Sequence, residues 1–397
     1  MHLRVIDYVA NAGGGIRFAV ETLRALASGG ASSIEVVSHG AALGRYRALL
    51  GEGLVRFVDL PPANRWRAEP LRLVGLPGED LVGRLFGAGT SFHFDIHPRA
   101  LEGADVVWLP WLHRHRLPRE ASGRVVASLH DLILIDFKQH VPEALWRDEL
   151  ETVRRWLDSP ARVVVSSQAT AAALRRTFAI GSGRVEVVPL SGDHADPAER
   201  APRPPPAARS WVITPANTFV HKNHEVLFEG YAAWGGPHAL VLTGAGADLR
   251  GGGRAAVLRR RAGALGLRRG ENLFPLGYVD EAEYAWLLRR AWALVMPTLA
   301  EGGGSFPVLE ALRAGVPVIS ADIPVMREMI ERVGGEVLWF DPASPAALAL
   351  RLAELEAGYA GWKSRAAGQV ARLRPRGWQE VAADYRRSFE AALRSPG

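Results

Sequence analysis

The feature that most limits what this chain can become is a rhythm. Short runs of branched apolar residues, each followed by an amphipathic stretch, repeat through the first half and start again at Trp211. That alternation specifies parallel sheets with crossover helices. It predicts strands at 3–8, 34–38, 55–60, 105–109, 124–129, 162–165 and 185–188, then at 211–215, 239–243, 273–276, 293–297, 316–320 and 336–340. Ile16, Ala19, Val20, Leu23 and Leu26 recur at helical spacing after the first strand, and Val381, Ala382, Tyr385, Phe389 and Leu393 do so near the end. Between Pro61 and Leu101 the pattern dissolves into Gly and Pro, which predicts loops and short helices.

The two rhythmic halves are separated by Asp193 to Ser210, DHADPAERAPRPPPAARS, a polar and Pro-dense stretch that reads as a semi-rigid linker. The expected fold class is therefore α/β, with two Rossmann-like doubly wound domains facing each other across a cleft. The expected boundaries are 1–192 for an amino-terminal acceptor-binding domain, 193–210 for the linker, 211–375 for a carboxy-terminal donor-binding domain, and 376–397 for a helix returning to the first domain. In such sheets ligands sit beyond the carboxyl ends of the strands, so residues just after strands carry the functional argument.

Composition narrows the function. The chain is 48 % apolar and 23 % charged, which is ordinary for globular proteins and excludes disorder and fibres. No run of about 18 apolar residues and no signal peptide is visible, so a soluble, cytoplasmic protein is expected. With no cysteine, thiol catalysis, disulfides and thiolate metal sites are ruled out. The net charge is +6, only Lys138, Lys222 and Lys363 are lysines, and the pI is about 9.9. Such a balance suits nucleic acid, an anionic membrane face or a polyanionic small ligand. No run of five basic residues occurs, so a nucleic-acid stripe is unsupported.

The strongest local signal runs from Met296 to Ser320, MPTLAEGGGSFPVLEALRAGVPVIS. A strand ends at Pro297, glycines and a serine follow, and Pro307 stands where a first helical turn begins. Glycines let backbone N–H groups approach a ligand closely, and a helix start favours phosphate or sugar oxygens. Glu301 stands at the mouth of the loop, and Glu310 lies where a carboxylate can accept hydrogen bonds from a vicinal diol such as a ribose. By itself the stretch also reads as a Gly-rich connection with a Glu near the favourable end of a helix dipole.

This stretch resembles the E-x7-E signature of retaining glycosyltransferases of family four, which have the GT-B fold and are usually written E-G-F/G-x-x-P-x-x-E-A. Pro307, Glu310, Ala311 and Gly315 match as they stand, while Glu301 to Glu310 is E-x8-E, one residue longer. The resemblance extends over most of the chain. The loop and helix from Asn11 to Leu26 are similar to the family's glycine loop beside the donor diphosphate, which points to Gly13, Gly14 and Gly15; the residues alone fit any first βα turn, and Phe18 breaks the dinucleotide pattern. Ser128 to Asp131, SLHD, resembles the family's strand-end histidine and aspartate, which implies that His130 contacts donor sugar or acceptor with Asp131 beside it.

Asn217 to Glu225, NTFVHKNHE, is similar to the segment holding the family's basic pair on the pyrophosphate. Lys222 fits the lysine, and Asn217 replaces the usual arginine. Thr243 to Gly246 and Gly277 to Val279 resemble the strand-end turn and the base loop, which implies donor contacts from Gly244, Tyr278 and Val279 in addition to Gly303, Gly304, Ser305, Phe306 and Glu310. Asp322, Pro324 and Glu328 follow a strand as in the family's closing loop. For the acceptor, Trp108, Trp111 and Trp66 are candidates for stacking on a sugar or meeting a membrane surface, though buried core is the commoner place for tryptophan.

The implied activity is transfer of a hexosyl group from a nucleotide-diphosphate sugar to a glycan, lipid-linked or small-molecule acceptor in cell-surface polysaccharide or glycoconjugate synthesis. In the family's chemistry the acceptor attacks from the face the diphosphate leaves, and the leaving phosphate takes the acceptor's proton. His130, Lys222 and Glu301 are then the catalytic candidates, with no nucleic-acid partner, and with contact at the inner membrane face left open. No resident metal is expected: D-x-D is absent, and Arg114 and Arg116 beside His113 and His115 would repel a cation. P-loop, zincin and α/β-hydrolase motifs are also absent. Two alternatives share the architecture: an epimerase or phosphorylase, and a sugar-nucleotide binder without turnover.

Overall fold

The computed structural model describes residues 1–10, 14–30, 33–64, 93–118, 124–193, 198–202, 206 and 210–394. Two compact units emerge, Met1–Ser191 with Arg376–Gly397, and Gly192–Pro375. Each is built on a parallel α/β sheet, the fold class that the rhythm of the sequence predicts. Among the expected positions, Gly13, Trp66 and most of the 193–210 segment lie outside the described residues.

In the first unit the strands are β1 (His2–Ile6), β2 (Ser33–Ser38), β3 (Arg56–Asp59), β4 (Phe94–Asp95), β5 (Val106–Leu109), β6 (His115–Arg116), β7 (Val125–Leu129), β8 (Arg162–Val165) and β9 (Val185–Val187). Seven of them form one sheet in the order β3-β2-β1-β5-β7-β8-β9, and β4 pairs with β6 apart from it. The intervening helices are α1 (Gly14–Ser28), α2 (Gly40–Leu50), α3 (Ile133–Asp136), α4 (Glu143–Asp158) and α5 (Gln168–Phe178). Both faces of the sheet are covered, as the strands dictate. Leu3, Val5, Val106 and Trp108 enter one core with α1, while Ile6, Val107, Leu109 and Leu129 enter the other with α4 and α5.

The second unit holds β10 (Trp211–Pro215), β11 (Ala239–Thr243), β12 (Leu273–Gly277), β13 (Ala293–Met296), β14 (Val318–Ala321) and β15 (Leu338–Phe340). Their order, β12-β11-β10-β13-β14-β15, is the doubly wound one in which the chain reverses direction between its first and fourth strands. The helices are α6 (His224–Trp234), α7 (Gly253–Ala264), α8 (Glu281–Arg289), α9 (Phe306–Arg313), α10 (Pro324–Val333), α11 (Pro345–Ala357) and α12 (Tyr359–Gln369). The strand expected at 316–320 begins only at Val318. Gly315 at φ +61 turns the chain out of α9, and the Val316 N–H is spent on the Ala311 carbonyl at 2.9 Å. Within the Pro-rich segment, Glu199 pairs with Arg289 at 3.0 Å and Arg200 with Glu283 at 3.2 Å, fastening its described part to α8.

The last helix, α13 (Trp378–Arg394), belongs to the first unit. Its Val381, Ala382, Tyr385 and Phe389 are buried in the core beside Phe18 and Trp108. The Tyr385 hydroxyl and Ser128 Oγ share a hydrogen bond of 2.8 Å beneath β7. No helix among the described residues is long and apolar enough to cross a membrane.

Candidate functional site

The strand order of the second unit places its switch point between β10 and β13, and open α/β sheets take ligands beyond the carboxyl ends there. The loops leaving these two strands carry Asn217 to Asn223 and Pro297 to Ser305. They are joined by one ion pair, Lys222 Nζ to Glu301 Oε1 at 2.5 Å, with side chains only 15 % and 11 % exposed. Backbone bonds lock the same two loops: the His221 carbonyl accepts from the Leu299 N–H at 2.7 Å and the Thr298 hydroxyl at 3.2 Å.

Asn223 is the tie that the sequence reading did not single out. It adopts φ +58, which Asn tolerates better than most side chains, and its amide donates to the carbonyls of Pro297 at 3.0 Å and Pro342 at 2.8 Å. Three loops are thereby held by one side chain. The histidines on either side of Lys222 stay neutral. Burial, reinforced by the Lys222 charge, pushes both His221 and His224 down to about 3. Lys222 is thus a cation beside two uncharged rings, matched by a single carboxylate.

The remaining donor candidates of this unit fall around that pair. Asn217 turns inward and its Oδ1 accepts the Phe219 N–H at 3.1 Å, so it shapes its own loop. Gly244 holds φ +121 against the Ala216 carbonyl, where a side chain would clash, and its N–H donates to the Gly277 carbonyl at 2.8 Å. The ends of β10, β11 and β12 are laced together in this way. Tyr278 after β12 is 79 % exposed, with Val279 half-buried beside it. Gly303 and Ser305 are buried at the start of α9, the Ser305 N–H meets Met329 Sδ at 3.2 Å, and Gly304 holds φ +109 with Met329 against it. Phe306 opens α9, and Glu310 lies half-buried one turn further on.

In the first unit the candidates divide. Gly14 and Gly15 open α1. His130, after β7, is buried with both ring nitrogens used: Nε2 donates to the Pro110 carbonyl at 2.9 Å and Nδ1 accepts from Ser166 Oγ at 2.5 Å. Burial lowers its pKa to about 4, against the opposing pull of the Pro110 carbonyl. A contact from His130 to a sugar would require one of these bonds to be given up. Asp131 turns back to accept the Ile133 N–H at 2.9 Å. Trp108 must be corrected: it is 0 % exposed, packs on Phe18 and Tyr385, and donates to Ser128 Oγ at 3.2 Å, so no face remains for an acceptor. Trp111 is half-buried, stacked on His130 at 5.1 Å and tilted against His113 at 5.0 Å.

The histidines at 113 and 115 serve different partners. His115 Nε2 accepts the Tyr8 N–H at 3.0 Å and Nδ1 reaches the His113 carbonyl at 3.0 Å, which fixes a neutral ring. His113 Nδ1 binds Glu149 Oε1 at 2.5 Å, and His93 Nε2 approaches the other carboxylate oxygen at 3.3 Å. Burial opposes charge on both members of the His113 and Glu149 pair, yet each outweighs it for the other. His113 is raised and Glu149 is held well below the usual carboxylate range. Asp7, at the end of β1, accepts the N–H groups of Val9 at 2.8 Å and Ala10 at 3.0 Å and the Tyr46 hydroxyl at 2.7 Å. Neither Asp7 nor Glu149 was singled out in the sequence; an acid at a strand end and one on the apolar face of α4 were the available signals. Among the described residues no cluster of three or more His, Asp or Glu is placed to hold a metal ion.

Residues 197–372 match the family model described as glycosyl transferases group 1. Several solved structures share the fold over nearly the whole chain. The sucrose-phosphate synthase of Thermosynechococcus elongatus aligns with a TM-score of 0.66 at 15 % identity, covering 98 % of this chain and 100 % of its own. HepE of Anabaena, in complex with UDP and glucose, aligns with a TM-score of 0.63 at 15 % identity, covering 97 % and 95 %. WaaG, a glycosyltransferase involved in lipopolysaccharide biosynthesis, aligns with a TM-score of 0.62 at 12 % identity, covering 96 % and 98 %. No curated protein matches the sequence.

Proposed function

We propose that this chain, whose residues 197–372 match the family model described as glycosyl transferases group 1, is a retaining, metal-independent hexosyltransferase using a nucleotide-diphosphate sugar. The single observation that carries this reading is the Lys222 and Glu301 pair at the switch point of the second sheet. A lysine there is suited to neutralise a leaving diphosphate, and a carboxylate beside it is suited to sugar hydroxyls. In the ligand-free chain each satisfies the other. An arriving diphosphate takes the Lys222 ammonium, which releases Glu301 to accept from the sugar.

The other roles in this reading are those the family resemblance implies. Glu310 on α9 accepts from the ribose, and the backbone from Gly303 to Phe306 lies along the sugar. Gly244, Tyr278 and Val279 take the base side, with Asn217 holding its loop in shape. The resemblance assigns Gly13, Gly14 and Gly15 to the donor diphosphate, and of these Gly14 and Gly15 open α1. The bond from the anomeric carbon to the phosphate oxygen breaks while the acceptor oxygen bonds that carbon on the same face. The acceptor proton goes to the departing phosphate oxygen. His130, with both nitrogens committed and its basicity lowered by burial, acts by holding Trp111 and the 128–131 turn rather than as the base. Trp111 and Asp131 then border the acceptor, a glycan, lipid-linked or small-molecule hydroxyl in cell-surface polysaccharide or glycoconjugate synthesis, in the cytoplasm or at the inner membrane face.

One fold relative, HepE of Anabaena, is described in complexes with UDP and with UDP-glucose, which makes UDP-glucose the first donor to try. The test is a thermal-shift and calorimetric panel of UDP, GDP, ADP, TDP and CMP with their sugars, on the wild type and Glu310→Ala. One diphosphate nucleotide is expected to stabilise the wild type and to lose most of its effect in the variant. If no nucleotide stabilises either protein, the donor-site reading fails.

A further inference from the structure

One segment of this chain carries more charge than the net excess of the whole. Residues 250–269 contain seven arginines and no acidic residue, a charge of +7 against +6 for the whole chain, so everything else is net −1. The segment comprises α7 and its flanks, leading from β11 to the edge strand β12. Three of the arginines are neutralised: Arg254 by Glu225, Arg261 by Glu229 at 2.6 Å, and Arg268 by Glu271 at 3.5 Å. Arg250, Arg259, Arg260 and Arg269 meet no carboxylate among the described residues.

Three of these four line one cavity. Arg250, Arg259 and Arg269, with Leu249 and Gly251, border a shallow, largely open depression of about 410 Å³. The loop is bent to hold them there. Leu249 at φ +54 and Gly251 at φ +87 turn their carbonyls to Arg259 Nη1, at 2.8 and 3.2 Å, and the Asp248 carbonyl accepts from Arg269 Nη2. A leucine in the left-handed region is costly, so this geometry is imposed by its surroundings. Carbonyls orient guanidinium groups without cancelling their charge, which leaves three like charges around one space. The carboxylate of Asp248 accepts the Arg250 N–H at 3.2 Å and shapes the same loop.

Guanidinium forks match the spacing of phosphate oxygens. No aromatic ring lines the cavity, so it offers a nucleobase no surface to stack on. None of its residues is among the donor candidates, of which Gly244 lies five residues before Leu249 on the same loop. We propose that this cavity binds a phosphate-bearing anion at a site separate from the sugar nucleotide's.

Because a diphosphate would also enter the proposed donor site, the test uses the full chain in a Lys222→Ala background. Sodium pyrophosphate is titrated calorimetrically at low and raised salt, and flotation is measured with phosphatidylcholine vesicles with and without phosphatidylglycerol. Arg250→Gln anchors no carbonyl and leaves the loop intact; Arg250→Gln with Arg269→Gln removes two of the three charges. Pyrophosphate should still bind the Lys222→Ala chain, bind about tenfold more weakly after Arg250→Gln, about 1.4 kcal/mol, and be lost in the triple variant. Arginine-dependent flotation with phosphatidylglycerol but no pyrophosphate binding would identify the same phosphate chemistry as a lipid headgroup. The proposal is overturned if neither probe binds, if Lys222→Ala alone abolishes pyrophosphate binding and flotation is independent of the arginines, or if the arginine variants bind both probes as their parent does.

Discussion

Lys222 is one of three lysines among 48 basic residues, and its carboxylate partner is 79 residues away. Removing either member leaves a largely buried charge alone, which typically costs about 3 to 5 kcal/mol. Lys222→Met is therefore expected to lower stability, and Lys222→Met with Glu301→Gln to recover most of it. Turnover should separate from stability. Both variants should lose about 100-fold or more in kcat, because the second change restores no positive charge for the leaving diphosphate. Equal recovery of kcat and melting temperature in the double variant would mean that the pair is merely structural. Gly304 gives a second residue-scale expectation. A methyl group there would strike Met329 at φ +109, so Gly304→Ala should destabilise by about 1 to 3 kcal/mol, read by thermal denaturation.

At the scale of elements, α13 completes the core of the first unit with Tyr385 and Phe389 against Trp108. Phe389→Ala should cost about 3 to 5 kcal/mol by leaving a cavity there, seen as loss of the near-ultraviolet signal of that core before any change in the second unit. The helix was legible because its apolar residues keep one spacing over four turns. The main strands were legible for a similar reason, since β-branched runs between turn residues admit few other readings. β4 and β6 were not, because two residues are too short to show a period. Trp108 was misplaced although its strand, Val106–Leu109, is apolar throughout, the mark of a strand buried on both faces. At the site, the residue types after each strand could be read, but not their partners. Neither the Glu301 contact of Lys222 nor the two nitrogens that His130 spends inside its own unit is a local property of sequence.

Across the whole molecule, burial keeps His130, His221 and His224 neutral, with folded pKa values near 4, 3 and 3. An unfolded histidine titrates near 6.5, so above that pH neither state is protonated and nothing is lost. Below it the unfolded chain binds protons that the folded one refuses, and stability falls by up to about 1.4 kcal/mol per pH unit for each ring. His113 acts in the opposite sense, since a raised histidine favours the folded state on acidification, whereas Glu149, held low, loses its contribution only as the pH falls below the usual carboxylate range. Melting temperature should stay level from about pH 8 to 7 and fall between about 6.5 and 5, less steeply in His224→Leu; a level profile down to pH 5 would contradict neutral buried rings. The division of the chain has a consequence for its making. The first unit is assembled from both ends of the sequence, with the second unit inserted between Ser191 and Arg376. A ribosome therefore releases seven strands whose groove beside Phe18 and Trp108 has no cover until the whole of the second unit has followed. The usual order, in which the amino-terminal domain is complete before the next is made, does not apply to a unit divided in this way. Its first unit is the last to be completed, and throughout that interval the uncovered groove is open to chaperones and to aggregation.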